Sequence, residues 1–224
     1  MCHLILDVVS KVRRTDPRSL SMKALFVNDM ITDHNLDVLC LTETWLKPDD
    51  YIILNESTPQ DYCYKHEPRL KGKGGGVSTI YSNILNVSQR TGFKYNSFEV
   101  MVLHIALSRE TSANDKSAMT FVLATVYRPP GHHTDFIKEF ADFLSELVLA
   151  ADKVLIVGDF NIHVDNEKDA LGTEFLDILN SIGVRQHVSG PTHCRNHTLD
   201  LILSHGIDVK GELRCDFDLK CIES

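Results

Sequence analysis

The sequence predicts an α+β fold in which two β-sheets pack together and carry helices on their outer faces. Segments of strand and helix character mix without strict βαβ alternation, which argues against a singly wound parallel sheet. Two β-rich runs, residues 97–107 and 118–127, flank a polar loop and indicate an antiparallel hairpin. Uniformly apolar runs such as VLIV, residues 154–157, indicate sheets that are covered on both sides.

The first half of the chain predicts one helix and two further strands. Apolar residues recur at close to helical spacing in residues 19–34. Residues 36–45, LDVLCLTETW, are predicted to form a strand, because the segment begins apolar and ends polar. Residues 74–83 open with a run of glycines and then take on β character. The predicted first strand is poorly defined, and residues 4–9 (LILDVV) are the segment that can supply it.

The second half carries the clearest helix, predicted at residues 134–152. Thr134 can cap this helix, and one of its faces is an apolar stripe. A strand at residues 153–159 follows at once. A further helix is predicted at about residues 169–182. Residues 198–204 form the last predicted strand.

Composition limits the class of protein. The chain has 224 residues, 43% of them hydrophobic, and no linker-like segment, so we expect a single domain over residues 1–224. The net charge of −8 argues against coating nucleic acid by bulk attraction, but it suits an enzyme that brings a cation to an acidic site. No apolar run approaches the roughly 20 residues that span a bilayer, so no membrane partner is expected. Scattered cysteines and an N-terminus unlike a signal peptide favour a nuclear or cytoplasmic protein that is not secreted.

Several strands end in residues that can bind metal or phosphate. These residues are Glu43, Tyr127, Asp159 with Asn161, and Asp200 near the start of the last strand. If they meet at one rim, the like charges repel unless a cation joins them, and oxygen ligands favour Mg²⁺ or Mn²⁺. In the run DFN, strand alternation is expected to place Asp159 and Asn161 on one face. The alternative is that Asp and Asn end strands simply because turns begin there.

Basic and histidine features allow two interpretations each. The segment 64–76 is predicted to be a loop, either simply solvated or gripping phosphate through Lys65, Arg69, Lys71 and Lys73. His193, Cys194 and His197 lack the second half-site of a zinc motif, and His197 is expected to be a loop residue that can lie near the rim. A calcium loop starting at Asp159 is rejected, because its sixth and twelfth positions are Val164 and Ala170.

The combined motifs resemble the endonuclease/exonuclease/phosphatase superfamily, the DNase-I-like proteins, and especially the endonuclease domain of LINE-type non-LTR retrotransposons. The resemblance covers about residues 16–206 and implies a four-layer α/β/β/α sandwich that hydrolyses phosphate esters with Mg²⁺. The matching segments are DPRSL (16–20), LDVLCLTETWL (36–46), GGGVSTIYS (74–82), TVYRPPG (125–131), VGDFNIHVD (157–165) and HTLDLILSHG (197–206).

The resemblance also implies a role for each matched residue. Glu43 corresponds to the principal metal ligand, and Asp159 to the residue that orients or deprotonates the attacking water. Asn161 would hold the phosphate or the developing oxyanion, and Tyr127 would touch the scissile phosphate. Asp200 would support the catalytic centre. DNA is the expected partner, with Arg128 of the YRPP run among the nucleic-acid contacts.

Two departures from the family pattern set the remaining expectations. Asp16 stands where the family usually has the asparagine of its first strand, and it can still ligate Mg²⁺. The sequence contains no S-D-H motif, so the domain is expected to be truncated or diverged after about residue 206, to lack the C-terminal strand and to have impaired activity. The expected function is a Mg²⁺-dependent DNA endonuclease. The alternatives are a phosphomonoesterase of the same superfamily and a catalytically dead domain fragment that has a binding role or no function.

Overall fold

Two β-sheets form the centre of the computed structural model, which describes residues 6–9, 20, 23–70, 72, 74–107, 119–131, 134–192 and 197–209. The smaller sheet has the strand order β1-β2-β4-β3. Its strands are β1 (Leu6–Val9), β2 (Val38–Thr42), β3 (Tyr62–Glu67) and β4 (Val77–Ser82). The larger sheet has the order β5-β6-β7-β8-β10-β9. Its strands are β5 (Leu85–Arg90), β6 (Glu99–Leu107), β7 (Met119–Tyr127), β8 (Val154–Asp159), β9 (Arg185–Gln186) and β10 (Asp200–His205).

Helices cover the outer face of each sheet, which gives four layers. The helices are α1 (Ala24–His34), α2 (Tyr51–Ser57), α3 (Phe136–Ala150) and α4 (Ala170–Ile182). Residues of α1 and α2 share a hydrophobic core with the smaller sheet, and those of α3 and α4 share one with the larger sheet. A third core lies between the two sheets. The α/β/β/α sandwich expected from the sequence is therefore confirmed.

Alternation along each strand divides its residues between two cores. In β8, Leu155 and Val157 enter the core between the sheets, while Val154 and Ile156 enter the core beneath α3 and α4. All six residues of β8 are buried as a result. The sequence at residues 154–157 is continuously apolar because both faces of β8 are covered.

Several local predictions can be compared with the structure. The segment Leu6–Val9 forms β1, parallel to β2, so the early LILDVV run does supply a strand. Thr134 does not cap α3, because the N-cap is Asp135, which makes no side-chain capping bond. The predicted loop 64–76 begins inside β3. The expected loss of a C-terminal strand concerns residues that lie outside the described part of the chain.

Some elements gave no clear signal in the sequence. The helix α2 and the strands β3, β5 and β9 were not predicted. All three of these strands lie at sheet edges and are only partly buried, so their hydrophobic alternation is weak. Within the described residues, no helix is long and apolar enough to cross a membrane.

A close backbone contact fixes the end of β8 against β7. Gly158 pairs with Val126 in the parallel register and has a φ of +149°. A Cβ at Gly158 would overlap the carbonyl oxygen of Val126, which is backbone and cannot move aside cheaply. Only glycine allows the two strands to approach this closely just before Asp159.

We predict that Gly158→Ala lowers the free energy of unfolding by about 3 kcal/mol, because the added methyl overlaps backbone in a covered sheet. The matched control is Gly92→Ala. Gly92 also has a positive φ, +108°, but no atom lies within 4 Å of the place where its Cβ would stand. The control should lower the free energy of unfolding by about 1 kcal/mol, which is the cost of placing a residue with a Cβ in a left-handed backbone conformation. Equal losses for the two variants in denaturant unfolding would contradict the close-contact explanation.

Candidate active site

Four polar residues lie in one row across the larger sheet. Tyr127 is the register partner of Glu99 in β6 and of Asp159 in β8. Asp159 is in turn the register partner of Asp200 in β10. Side chains at paired positions of adjacent strands point to the same face. Glu99, Tyr127, Asp159 and Asp200, called here the polar row, therefore share one face at the end of four adjacent strands.

The polar row ends the core between the sheets. Two residues further into the sheet, the same face carries Met101 of β6, Val157 of β8 and Ile202 of β10, all in that core. The equivalent residue of β7 is Thr125, whose hydroxyl lies 3.1 Å from that of Thr79 in the smaller sheet. The face thus changes from apolar to polar at the rim where the two sheets part.

Glu43 reaches this rim from the smaller sheet, directly after β2. Its backbone is left-handed, with a φ of 53°, and Trp45 follows with a φ of 58°. The glycine run before β4 holds this turn, because Thr44 N–H donates to Gly76 O at 3.2 Å and Trp45 N–H to Gly75 O at 2.9 Å. Left-handed non-glycine residues cost about 1–3 kcal/mol each and cluster at functional sites.

A hydrogen bond joins the two sheets at the rim: the Tyr127 hydroxyl donates to Oε1 of Glu43. Burial raises the pKa of Tyr127 strongly, and the charge of Glu43, its hydrogen bond and the charge of Asp159 raise it further, while Arg69 lowers it. The carboxylates of Glu43 and Asp159 therefore both stabilise the protonated hydroxyl of Tyr127. Tyr127 keeps its proton at neutral pH and serves as a donor, not as a base.

Arg69 belongs to the rim through an ion pair that the sequence did not predict. Its Nε donates to Oε1 of Glu99, and its guanidinium lies 5.6 Å from the centroid of the Tyr127 ring. The other oxygen of Glu99 accepts the Gly76 N–H at 2.6 Å. Glu99 was missed because it stands alone as an acid at the start of an otherwise apolar strand. Glu99 lies two residues before Met101, on the same face of β6, and this spacing from a core residue is the signal that could have identified Glu99.

Asp159 and Asn161 come together through a turn. Asp159 is fully buried at the end of β8, and its Oδ1 accepts the Asn161 N–H at 3.1 Å. Asn161 has a left-handed φ of 48°, and its side-chain amide donates to Arg128 O at 2.7 Å. As the strand alternation in DFN predicts, Phe160 points away from the face of Asp159 and enters the core beneath α3 and α4. Asn161 lies beyond the end of β8.

Arg128, expected from the sequence to contact nucleic acid, has a buried side chain in this structure. Its side chain is 2% exposed and donates to the carbonyl oxygens of Phe160 at 3.3 Å, Asn161 at 3.1 Å and Gly131 at 2.9 Å. Burial lowers the pKa of Arg128, while Asp169 and Asp159 raise it. Arg128 therefore positions the backbone around Asn161 and is corrected from a DNA contact to a positioning residue.

The backbone of Asp200 is held in place by the Thr192 side chain. Thr192 Oγ1 accepts the N–H groups of both Leu199 and Asp200 at 2.9 Å, and Asp200 is 2% exposed. The remaining predicted residues lie in an edge strand or outside the described part of the chain. Lys65 lies in the edge strand β3. The structure does not describe Asp16, Lys71, Lys73, His193 and Cys194.

The side chains at the rim are of the chemical types that bind hard divalent cations. Glu43, Asp159 and Asp200 offer carboxylate oxygens, and Asn161 offers an amide oxygen, with no imidazole or thiol among these four side chains. Oxygen ligands suit Mg²⁺ or Mn²⁺. The two carboxylates that act on Tyr127 carry like charges, which a cation between them would offset.

Two packed sheets with helices outside and carboxylates, an amide and a phenol at one rim define a DNase-I-like sandwich. The chain belongs to the endonuclease/exonuclease/phosphatase family, whose model matches residues 10–213. This is a family of hydrolases that includes nucleases and phosphatases. No curated protein matches the sequence.

Solved structures agree with this fold. The chain is similar to an AP endonuclease from Leishmania major, with a TM-score of 0.61 and 14% identity over 89% of this chain and 78% of that one. It is also similar to a mannosyl-6-phosphatase from Bacteroides thetaiotaomicron, with a TM-score of 0.62 and 11% identity over 91% and 85%. A 3′ phosphatase from Neisseria, solved with a product DNA hairpin, gives 0.57 and 15% over 90% and 85%.

The raised pKa of Tyr127 predicts how stability depends on pH. The folded state favours the neutral phenol, so this stabilisation is present below about pH 10, the ordinary pKa, and is lost as the pH rises towards the folded-state value. We predict that Tyr127→Phe makes the free energy of unfolding fall less steeply above about pH 10. Tyr51→Phe, in a ring that is 57% exposed, is the control and should keep the wild-type slope. Identical slopes for all three proteins would contradict this electrostatic environment.

Proposed function

We propose that the protein is a DNA endonuclease of the retrotransposon type, a phosphodiester hydrolase that depends on Mg²⁺ or Mn²⁺. The observation that carries the proposal is the polar row, which the Tyr127–Glu43 hydrogen bond joins to the second sheet. Acidic, amide and phenol groups from five separate segments meet at one rim. That arrangement suits hydrolysis of a phosphate ester better than it suits a turn that merely ends a strand.

Glu43 is the proposed principal metal ligand, and Asp16, outside the described residues, is a proposed second ligand. When bound, the cation would neutralise charge on the phosphoryl oxygens of the substrate. The Tyr127 hydroxyl donates to one oxygen of Glu43 and so fixes the orientation of its carboxylate. Arg69, paired with Glu99 beside the Tyr127 ring, offsets the negative charge of Glu99 near the same rim.

Asp159 is the proposed base. It accepts a proton from water, the water oxygen forms a bond to phosphorus, and the bond from phosphorus to the ester oxygen of DNA breaks. The leaving oxygen takes up a proton from solvent. Asn161, which is hydrogen-bonded to Asp159 and to the Arg128 carbonyl, is the proposed phosphate-holding residue, and Asp200, the register partner of Asp159, is proposed to support it.

Two observations support DNA as the substrate. The six sequence segments resemble LINE-type endonucleases, and solved structures similar to the chain include an AP endonuclease and a 3′ phosphatase with product DNA. A phosphomonoesterase is the second candidate, favoured by the similarity to a mannosyl-6-phosphatase. Release of phosphate from small phosphomonoesters, without any cleavage of DNA, would favour that candidate.

We predict that the purified chain nicks supercoiled plasmid in Mg²⁺, and that Glu43→Gln and Asp159→Asn each reduce the rate by on the order of 10³-fold or more. Glu174→Gln and Asp177→Asn carry the same chemical changes on exposed positions of α4 and are the matched controls. The controls should nick at the wild-type rate. Equal nicking in the presence of a chelator would contradict the metal-dependent mechanism.

A weakly active endonuclease remains part of this proposal. A wild-type nicking rate that is measurable but low would agree with it. Folded protein that binds DNA with no turnover of any phosphate ester would support the alternative of a dead binding domain.

The lysines before β4 are proposed to contact DNA phosphates. We predict that a Lys71→Gln and Lys73→Gln double variant binds duplex DNA more weakly and reduces the slope of log affinity against log salt by about 2, close to one for each lost phosphate contact. The control pair is Lys138→Gln and Lys153→Gln, which are exposed positions on α3 and immediately before β8, at the opposite end of that strand from Asp159. A slope unchanged in the first pair, or equally reduced in the control pair, would contradict this assignment.

A further inference from the structure

The loop that follows Asp159 and the residues that precede Asp200 bring together a second group of metal-ligand side chains. One ligand atom each from His163, Asp165 and His197 lies within 4.8 Å of the other two. The two imidazole rings are T-shaped, with centroids 4.2 Å apart. Nδ1 of His197 lies 3.6 Å from Oδ2 of Asp165.

One ring nitrogen in this group lacks a hydrogen-bond partner. Within the described residues, Nδ1 of His163 is buried, and no donor or acceptor lies within hydrogen-bonding geometry of it, whereas Nδ1 of His197 faces Oδ2 of Asp165. A buried polar atom without a partner costs about 1–3 kcal/mol. Coordination to a cation would use the lone pair of such a nitrogen and remove that cost.

The third ligand is oriented by its surroundings. Oδ1 of Asp165 accepts the Thr198 N–H at 3.3 Å, which leaves Oδ2 on the side of His197. Thr198 is itself anchored, because its hydroxyl donates to Gly190 O at 2.6 Å. A hydrogen bond to one oxygen of a ligating carboxylate is the usual support of a protein metal site.

The backbone near His163 is also closely packed. A Cβ on Gly172 of α4 would lie 2.9 Å from the His163 carbonyl oxygen, so only glycine allows the helix this close to the loop. The loop therefore presents His163 from a fixed position, which metal binding requires.

We propose that His163, Asp165 and His197 bind one Zn²⁺ ion, which cross-links the loop after β8 to the start of β10. Two imidazole nitrogens and a carboxylate form a three-ligand set typical of zinc with one open position. This set differs from the all-oxygen donors of the rim, so the two sites select different metals. None of the three residues belongs to the polar row, so Zn²⁺ binding at this group does not require the proposed function to be correct.

Zn²⁺ bound at this group would restrain the backbone segments that carry two residues of the rim. Asn161 lies two residues before His163, and Asp200 lies three residues after His197. The ion would hold both segments in their places beside Asp159.

The test uses the full chain, freed of metal with a chelator and then held in excess Mg²⁺ so that the rim is saturated. Titration with Zn²⁺ by calorimetry, and with Co²⁺ by visible absorption as a spectroscopic probe, should each give one tight equivalent. His163→Asn, Asp165→Asn and His197→Asn should each weaken Zn²⁺ binding at least about tenfold. His104→Asn, at an exposed position of β6, is the matched control and should bind as the wild type does.

Two further measurements keep the result interpretable. Zn²⁺ should raise the Tm of the wild type but not that of Asp165→Asn, whose shape differs least from the native side chain. Glu43→Gln should leave Zn²⁺ binding unchanged, which separates this site from the proposed catalytic metal. Failure of the wild type to bind Zn²⁺ in excess Mg²⁺, or loss of binding only in His193→Asn and Cys194→Ser, would overturn the proposal.

Discussion

The strand register of the larger sheet determines where the four residues of the polar row lie. Pairing of β6, β7, β8 and β10 aligns Glu99, Tyr127, Asp159 and Asp200 on one face. A slip of one residue in any pair would turn a polar side chain into the core beneath α3 and α4 and expose an apolar one to the rim. The apolar stripes behind the row, packed against the smaller sheet, resist such a slip.

Charge at the rim is balanced by groups from both sheets. Tyr127 is a buried proton donor to Glu43, and Arg69 neutralises Glu99 beside it. Arg128 contributes differently, since its buried guanidinium binds three carbonyl oxygens and fixes the turn that carries Asn161. The acidic residues are thus held by hydrogen bonds before any substrate arrives, which is the preorganisation that catalysis of phosphate ester hydrolysis requires.

The interior of this fold is easier to predict from the sequence than its edges. Strands such as β8 are apolar throughout because they are covered twice, and the acid at the end of β8 stands out against them. Edge strands such as β3 give weaker patterns, and Arg128 was misassigned because basic residues in a motif do not reveal whether they are buried. The turn at Asn161 depends on a left-handed φ that strand alternation cannot predict. The single-domain organisation and the role of Asp16 stay predictions.

Convergence of side chains from two sheets on one divalent cation at the rim is what the proposed chemistry needs. Anomalous diffraction from crystals grown with Mn²⁺ examines this convergence without relying on turnover, because Mn²⁺ replaces Mg²⁺ at oxygen ligands and scatters anomalously. We expect a Mn²⁺ peak bonded to a Glu43 carboxylate oxygen, on the same side as Asp159 and Asn161. Mn²⁺ bound elsewhere, with Glu43 contacting no metal, would contradict it.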